Sequence, residues 1–224
     1  MALILHIDTA LETASVCLSA DKKMIALSVN TDQKDHASWL HNSIREIMKN
    51  HNTTLNQLQA VSVSIGPGSY TGLRVGLSAA KGFCYALNIP LITTGTLQII
   101  ANAVKDKATD LICPLIDARR MEVYTALYDK KMTQIEEPSA MIIDASSFVN
   151  LLTNRKLIFT GSGSKKLQQI LSHTNASFID VVVTAEQLID FAHLSYRKQQ
   201  FADLAYTEPL YIKDFYSPAR KPLV

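Results

Sequence analysis

The sequence is poor in the features that mark secreted, membrane-spanning and disulfide-rich proteins. Its three cysteines, Cys17, Cys84 and Cys113, are odd in number, lie in apolar surroundings and form no C-x-x-C pair. They are interpreted as small core residues of a reducing compartment. No apolar run approaches the roughly 20 residues that a membrane span needs, and the N-terminus lacks a basic signal region. We therefore expect a cytosolic protein with no membrane contact.

Excess charge of one sign is also missing. The 22 basic and 20 acidic side chains leave a net charge of +2, which is too small to indicate nucleic-acid binding from bulk electrostatics. Binding to RNA would require a partner or a local basic patch. With 224 residues, 47% hydrophobic and 19% charged, the chain can bury one large core or two smaller ones.

Several catalytic motifs are absent. His36 and His41 are five residues apart and would lie on different faces of a helix, so the i, i+4 pair of metallopeptidases is missing. The other four histidines have no cysteine or carboxylate at ligand spacing, and we predict no metal site. There is no G-x-S-x-G nucleophile motif and no P-loop ending in Gly-Lys-Ser/Thr.

The pattern of strands suggests an internal duplication. Residues 3–8 form an apolar run that ends in Asp8 and leads through a turn into a second strand. Residues 111–117 repeat this order and end in Asp117. We expect a first lobe at residues 1–104, completed by part of the C-terminal segment, a reduced second lobe at 105–205 and a tail at 206–224. Strands are predicted at 3–8, 14–19, 24–29, 60–65, 91–94, 111–117, 123–128, 156–160 and 178–183, and helices at 36–50, 71–87, 97–104, 145–153, 165–171 and 185–200.

Asp8 and Asp117 are candidates for contact with a nucleotide. Two hairpins that hold phosphates between lobes need a carboxylate for the hydrated metal, and glycines that let backbone N–H groups approach the phosphates. The turns that follow the two aspartates contain no glycine, and Glu12 would repel a phosphate. The alternative is that both aspartates cap turns through backbone hydrogen bonds. The equipment for binding phosphate is therefore predicted to be incomplete.

The stretch GPGSYTGLRVG at residues 66–76 follows a predicted strand and opens a helix. The N-terminal amides of that helix, with Ser69, Thr71 and Arg74 nearby, could bind an anion. Alternatively, the glycines permit a sharp turn and Ser69 or Thr71 caps the helix.

Small residues recur every four positions along that helix, at Gly72, Gly76 and Ala80. Because each glycine inside a helix costs about 1 kcal/mol relative to alanine, the pattern predicts a compensating close contact with another helix. That helix is either the one predicted at residues 36–50 or one from another subunit.

Residues 66–82 resemble the signature of the TsaB family, also called YeaZ, with Tyr70 at a position that is usually aromatic and more often Phe. Three shorter segments are similar as well: residues 7–9 with 14–16, His36 with Leu40, and residues 116–119 with 122–124. The resemblance covers residues 3 to about 128. Beyond them only residues 161–163 and 209–212 are suggestive.

This resemblance implies an α/β protein of the actin/Hsp70/sugar-kinase superfamily, with a duplicated, ribonuclease H-like two-lobe fold and a reduced second lobe. It implies a bacterial role in forming N6-threonylcarbamoyladenosine at position 37 of tRNAs that read ANN codons. The chain would be a non-catalytic scaffold for TsaD, the paralogue that carries a metal-binding His-x-x-x-His. A P-loop ATPase, TsaE, would join the pair.

The resemblance also implies a partner interface on the two long helices of the first lobe, which favours the foreign helix. The same surface would form a homodimer without TsaD. We expect no catalytic residue and no cofactor on the chain alone, with ATP or ADP at the complex interface and tRNA reached through the complex. The predicted interface residues are Leu40, Ile44, Gly72, Leu73, Arg74, Gly76 and Ala80, and the predicted anion contacts are Asp8, Ser69, Thr71 and Asp117.

Two rival hypotheses remain. The first is an active small-molecule kinase or ATPase of the same superfamily that uses Asp8 and Asp117. The second is a peptidase, an older suggestion for relatives of the family. The basic residues 219–221 give no firm ground for an RNA contact.

Overall fold

The structure, a computed structural model, describes residues 2–32 and 36–213. The chain folds into two five-stranded sheets with helices on their faces. The first sheet contains β1 (Leu3–Asp8), β2 (Ala14–Ala20), β3 (Lys23–Asn30), β4 (Ala60–Ser64) and β5 (Leu91–Thr94), and the second contains β6 (Leu111–Asp117), β7 (Glu122–Asp129), β8 (Gln134–Ile142), β9 (Leu157–Thr160) and β10 (Ala176–Ile179). The helices are α1 (His36–Asn50), α2 (Tyr70–Leu87), α3 (Thr96–Asn102), α4 (Val149–Leu152), α5 (Ser164–Gln168) and α6 (Ile189–Arg197).

The two sheets have the same topology. The strand order is β3-β2-β1-β4-β5 in the first sheet and β8-β7-β6-β9-β10 in the second. In each sheet an antiparallel three-stranded meander is extended by two strands parallel to its first strand. The internal duplication predicted from the two Asp-terminated strands is confirmed.

Strand β1 is buried along its whole length because layers cover both of its faces. Leu5 and Ile7 point towards α1 and α2, while Ile4 points towards α6, as the two-residue period of a strand requires. His6 is fully buried, and its Nε2 lies 2.8 Å from the Ser19 hydroxyl oxygen. Burial lowers the pKa of His6 to about 3, so this histidine is a neutral core residue.

Helices cross between the two sheets. Helix α3 follows the first sheet in sequence but packs on β6 and β7 of the second. The 3₁₀ turn Ala185–Leu188 and α6 follow the second sheet but pack on the first, where the Ala185 N–H donates a hydrogen bond of 2.8 Å to Ser15 Oγ. One hydrophobic cluster accordingly draws residues from both sheets, among them Cys17 and Ile112. The sequence boundary near residue 105 separates the sheets, whereas the helical layers cross it.

The C-terminal segment returns to the first lobe. Ala202 forms a bridge with Leu91, and the Lys81 ammonium donates to the carbonyl oxygens of Ala205 and Thr207 at 3.1 and 3.0 Å. Farther on, the Leu210 N–H donates to the Ile65 carbonyl at 2.7 Å. The rest of the predicted tail, including the basic residues 219–221, lies outside the described residues.

Some elements differ from the predictions. Strand β8 was not predicted, because it is an edge strand with mostly exposed side chains and contains Pro138. Helix α4 spans four residues against a predicted nine, since Asp144 accepts hydrogen bonds from the turn Ser146–Ser147 and Phe148 has a positive φ of 65°. The helix predicted at 185–200 divides into the 3₁₀ turn and α6, and the strand predicted at 178–183 begins and ends earlier.

The three cysteines are free and buried, as predicted. Burial raises the pKa of Cys17 and Cys113 to about 12 and that of Cys84 to about 11. These thiols are therefore protonated and unreactive. In the part of the chain that the structure describes, no helix combines the length and apolar character needed to cross a bilayer.

Candidate functional site

A cleft of about 580 Å³ lies between the turn that joins β1 to β2 and the turn that joins β6 to β7. The start of α2 forms a third wall. Because β1 and β6 occupy the same place in their sheets, their carboxyl ends meet at this cleft, as the duplication requires. The cleft is lined by Ala10, Leu11, Glu12, Gly68, Ser69, Thr71, Ile116, Asp117, Arg119, Tyr124 and Ser162.

The glycine-rich loop before α2 fixes the helix against the first turn. Gly66 has a φ of +119°, and a Cβ there would lie 2.7 Å from the Leu210 carbonyl oxygen. A Cβ on Gly68 would lie 2.2 Å from the Ala10 carbonyl oxygen, which accepts a 2.7 Å hydrogen bond from the Ser69 N–H. Only glycine permits this approach, and it sets the N-terminus of α2 at the cleft.

Ser69 is the N-cap of α2. Its Oγ accepts a hydrogen bond of 3.2 Å from the Gly72 N–H, which confirms the capping alternative for this residue. Thr71 is exposed at the cleft, and its hydroxyl has no hydrogen-bond partner in residues 2–32 and 36–213. Both residues line the cleft, so their predicted contact with an anion stays a prediction.

Asp8 is fully buried. Its Oδ1 accepts hydrogen bonds from Ser64 Oγ at 2.6 Å and from the Ala10 N–H at 3.1 Å, whereas Oδ2 has no partner among the described residues. Burial raises the pKa of Asp8, and the two hydrogen bonds oppose that rise. Because Asp8 has no accessible surface, its burial argues against the predicted nucleotide contact, which stays a prediction. The turn-capping alternative is correct.

Asp117 has the opposite environment. It is exposed at the cleft, accepts a 2.6 Å hydrogen bond from the Arg119 N–H and pairs with the Lys166 ammonium at 2.5 Å. Partial burial alone would raise the pKa of Asp117, but the contacts with Lys166 and the Arg119 N–H outweigh it, and the pKa is lowered. The carboxylate is thus ionised and already holds a cation.

Lys166 was missed by the sequence analysis. Its ammonium also donates to the Arg120 carbonyl at 2.5 Å, so it bridges the whole second turn. The chain brings it there through Gly161, which has a φ of +92°, and Gly163, whose N–H donates to the Leu115 carbonyl at 2.9 Å. The ammonium therefore lies directly against the Asp117 carboxylate and balances its charge.

The second turn carries side chains where a phosphate site needs bare backbone. Arg119 and Arg120 both have positive φ values, 72° and 50°, a conformation that glycine or asparagine adopts more readily. Arg119 lines the cleft, and Leu11 and Glu12 do so from the first turn. Within the described ranges, no group of three or more His, Cys, Asp and Glu side chains is placed to hold a metal ion. For an anion, the described lining of the cleft offers the Arg119 guanidinium, the hydroxyls of Ser69 and Thr71, and the amides at the start of α2.

The glycine stripe on α2 faces the first turn. A Cβ on Gly72 would lie 2.0 Å from the Thr9 carbonyl oxygen, and one on Gly76 would lie 2.3 Å from Thr9 Oγ1. Thr9 Oγ1 donates a 2.7 Å hydrogen bond to the Gly72 carbonyl. The predicted helix partner is therefore wrong in both alternatives, since the close contact is with the end of β1 in the same chain.

The predicted interface residues are mostly core residues. Leu40 and Ile44 belong to the main hydrophobic cluster of the first lobe, where α1 packs on β2 and β3. Arg74 is exposed; its guanidinium carbon lies 4.1 Å from the Tyr70 ring centre and its Nε donates to the Tyr211 hydroxyl at 3.0 Å. Six of the predicted interface residues are buried within the chain itself, so their contact with a partner stays a prediction that the packing of the isolated chain does not favour. These residues are Leu40, Ile44, Gly72, Leu73, Gly76 and Ala80.

The opposite side of α1 and α2 is open. On α2 the ring of Tyr85 is 82% exposed, and a Cβ on Gly82 would meet no atom within 4 Å. Exposed His41 on α1 lies beside it, with its ring 6.0 Å from that of Phe83. We call this surface the outer helix face; its exposed residues are Ser78, Gly82, Tyr85 and Ala86 on α2 with His41 and Arg45 on α1.

Comparison with known proteins identifies the family. The model of the family described as "TsaD: tRNA N6-adenosine threonylcarbamoyltransferase" matches residues 24–216. The Bacillus subtilis tRNA threonylcarbamoyladenosine biosynthesis protein TsaB is 33% identical over 134 residues, 60% of this chain and 58% of that protein. The Haemophilus influenzae protein of the same name is 25% identical over 222 residues, 94% of this chain and 93% of that protein.

Solved structures show the same fold. A Pseudomonas aeruginosa protein described as similar to peptidase YeaZ superposes with a TM-score of 0.84 at 21% identity, over 95% of this chain and all of that one. YeaZ from the same organism gives a TM-score of 0.81 at 22% identity, over 94% and 100%. The architecture is the duplicated α/β fold of the actin/Hsp70/sugar-kinase superfamily, as predicted. The chain belongs to the TsaB (YeaZ) family, within the wider family that the TsaD model describes.

Proposed function

We propose that the protein takes part in the biosynthesis of tRNA threonylcarbamoyladenosine as a non-catalytic subunit that binds and stabilises a TsaD-like threonylcarbamoyltransferase. Its relatives are named for that pathway, and the family model that matches residues 24–216 describes the transferase itself. The proposal includes a TsaE-like P-loop ATPase as a further partner, ATP or ADP at the complex interface, and tRNA bound by the assembled complex.

The observation that carries the non-catalytic role is the state of the two cleft aspartates. Transfer of a phosphoryl group needs a carboxylate that holds a hydrated metal against the phosphates. Asp8 is sealed in the core with a raised pKa, and Asp117 is paired with Lys166. Both carboxylates are thus committed to contacts within the chain, which disfavours the kinase or ATPase alternative.

Isothermal titration with Mg-ATP tests this point directly. We expect the isolated chain to show no heat of micromolar binding, and Asp117→Ala to behave as the wild type does. Micromolar binding that Asp117→Ala abolishes would favour the kinase or ATPase alternative.

The outer helix face is the proposed docking site for the transferase. Because the buried face of α1 and α2 is occupied by the lobe's own sheet, a partner helix has access to the opposite side only. Ser78, Gly82 and Ala86 are small and allow close helix approach, while Tyr85 offers a large exposed ring of the kind that anchors interfaces. The same face would form the homodimer when the transferase is absent.

The variant Gly82→Leu tests partner binding without destabilising the fold. The new side chain points into open space, and replacing an exposed helical glycine should raise the free energy of unfolding by about 1 kcal/mol. The same side chain should prevent co-elution with the TsaD-like protein in size-exclusion chromatography with light scattering. A matched control is Gln168→Leu, an exposed position on α5 of the second lobe. Co-elution of Gly82→Leu at the wild-type level would refute this interface.

A further inference from the structure

A basic groove lies at the end of the sheets opposite the cleft. Two adjoining recesses of about 490 and 590 Å³ share Lys22, His193 and Arg197 in their walls. We call these two recesses the basal groove. Six cationic side chains line it: Lys22, Lys105, Lys130, Lys131, Arg197 and Lys198.

The duplication brings these cations together. Lys22 lies in the turn between β2 and β3, which is fixed at the start of β1 by the 2.8 Å hydrogen bond from the Asp21 N–H to the Ala2 carbonyl. Lys130 lies in the equivalent turn of the second sheet, fixed at the start of β6 by the 3.0 Å bond from its N–H to the Asp110 carbonyl. Helix α6 crosses between the sheets and ends in Arg197 at the same place.

The acidic side chains of the basal groove do not balance its cations. Asp190 lies 3.0 Å from the Lys105 ammonium and 3.7 Å from that of Lys22. Asp21, the other carboxylate of the lining, accepts the Ala2 N–H. The remaining cations have no carboxylate within 4 Å in the described part of the chain; they are Lys130, Lys131, Arg197 and Lys198.

The basal groove has a local excess of positive charge that the net charge of the whole chain does not show. Six cations face two carboxylates within it, although the whole chain carries only +2. The next recess is acidic, with Asp106 and Glu186 beyond Asp190, so the positive potential has a defined edge. A field of this kind attracts an extended polyanion and orients it along the cationic side.

We propose that the basal groove binds the phosphodiester backbone of RNA, namely the tRNA on which the pathway acts. The inference rests on the proposed function, because that function makes tRNA the substrate of the complex. Cations from four separate segments, spread along two connected recesses, suit a chain of phosphates better than a single phosphate group. Phe191 and Tyr196 lie in the same walls, where an unpaired base can stack on an aromatic ring.

The test is a salt titration of binding to a fluorescein-labelled tRNA transcript, followed by anisotropy, with the full chain alone and in complex with its TsaD-like partner. The four cations without a carboxylate predict a slope of log K against log salt of about −3 for the isolated chain. The variant Lys130→Gln/Arg197→Gln/Lys198→Gln should reduce the slope to about −1 and weaken binding about tenfold or more at low salt. All three positions are exposed, so melting temperatures should stay within about 2 °C of the wild type.

The matched control is Lys49→Gln/Lys156→Gln/Lys165→Gln, which removes the same charge from exposed positions outside the groove. It should retain wild-type affinity within about twofold. Unchanged tRNA affinity in the groove variant, or an equal loss in the control, would overturn the proposal. Binding to anionic phospholipid vesicles is measured in parallel. If the groove variant loses binding to the vesicles but not to tRNA, the groove is assigned to a membrane surface and the proposal is overturned.

Size-exclusion chromatography of the same variants with the TsaD-like protein separates the two proposals. The groove variant should co-elute with the partner as the wild type does. Failure of the wild-type pair to assemble would refute the proposed scaffold while leaving RNA binding by the groove measurable in the isolated chain.

Discussion

The two turns that frame the cleft occupy equivalent places in the duplicated fold, but different forces hold them. The turn after β1 lies against α2 and the loop before it. Gly68 in the loop and Gly72 and Gly76 in the helix approach the turn so closely that no side chain fits between. The turn after β6 is fastened by the Lys166 ammonium, which binds Asp117 and a turn carbonyl. Steric fit holds the first turn and electrostatics hold the second.

The two aspartates show the same contrast. Asp8 loses access to ligands through burial, and its pKa is raised. Asp117 keeps its charge at the surface and is neutralised by a neighbouring cation, and its pKa is lowered. Equivalent carboxylates are therefore withheld from a ligand in two physical ways, by burial and by pairing with a cation, and the two respond differently to mutation, pH and salt.

The largest effect should come from the steric side of this comparison. Gly72→Ala places a methyl group 2.0 Å from the Thr9 carbonyl oxygen, a backbone atom that cannot move without breaking the turn. We expect a loss of about 3 kcal/mol in the free energy of unfolding, measured by urea titration of Trp39 fluorescence. Gly82→Ala, on the open side of the same helix, should gain about 1 kcal/mol instead. Similar losses in both variants would show that helix propensity, not the close contact, decides the cost.

An intermediate effect is expected for Asp8→Asn, which imitates the protonated carboxyl. A raised folded-state pKa means that the contribution of Asp8 to stability is fully present below the unfolded value of about 4 and is lost as pH rises through the folded pKa. The variant should therefore gain stability relative to the wild type as pH rises from about 4 to 8. Urea titrations across that range measure the difference, and a difference that stays constant with pH would contradict the raised pKa.

The smallest effect should come from the electrostatic side. Lys166→Met removes the cation beside a partly exposed carboxylate, so the loss should be less than about 1 kcal/mol and should shrink further in high salt. Because the pKa of Asp117 is lowered, the stability it contributes is present above about 4 and is lost as pH falls through the folded pKa. In Asp117→Asn the free energy of unfolding should therefore fall less than in the wild type as pH drops below about 4. This pH trend is opposite to the one expected for Asp8→Asn. A salt-independent loss in Lys166→Met would argue for packing instead of charge.

Much of the fold was predictable because it depends on local pattern. Strand β1 begins and ends where its apolar run predicted, and helix α1 where its helical spacing predicted. Strand β8 escaped prediction because an exposed edge strand has no buried face to create a pattern. The duplication was visible because each half repeats a strand that ends in aspartate.

The candidate site was less predictable because its decisive contacts join distant residues. The spacing of Gly72 and Gly76 correctly indicated a close approach, but no sequence pattern states whether a helix or a turn makes it. Lys166 is 49 residues from Asp117 in sequence, and a lysine on a short helix carries no local sign of its partner. The basal groove was hidden for the same reason. In the net charge of +2, its cations are offset by acidic residues that lie elsewhere in the chain.

The exchange of α3 and α6 between the sheets has a mechanical consequence. Each lobe carries a helical layer that the other half of the sequence supplies. The two lobes therefore share a hydrophobic core, and they cannot separate without exposing it to water. A chain held together in this way keeps the outer helix face and the basal groove at a constant separation.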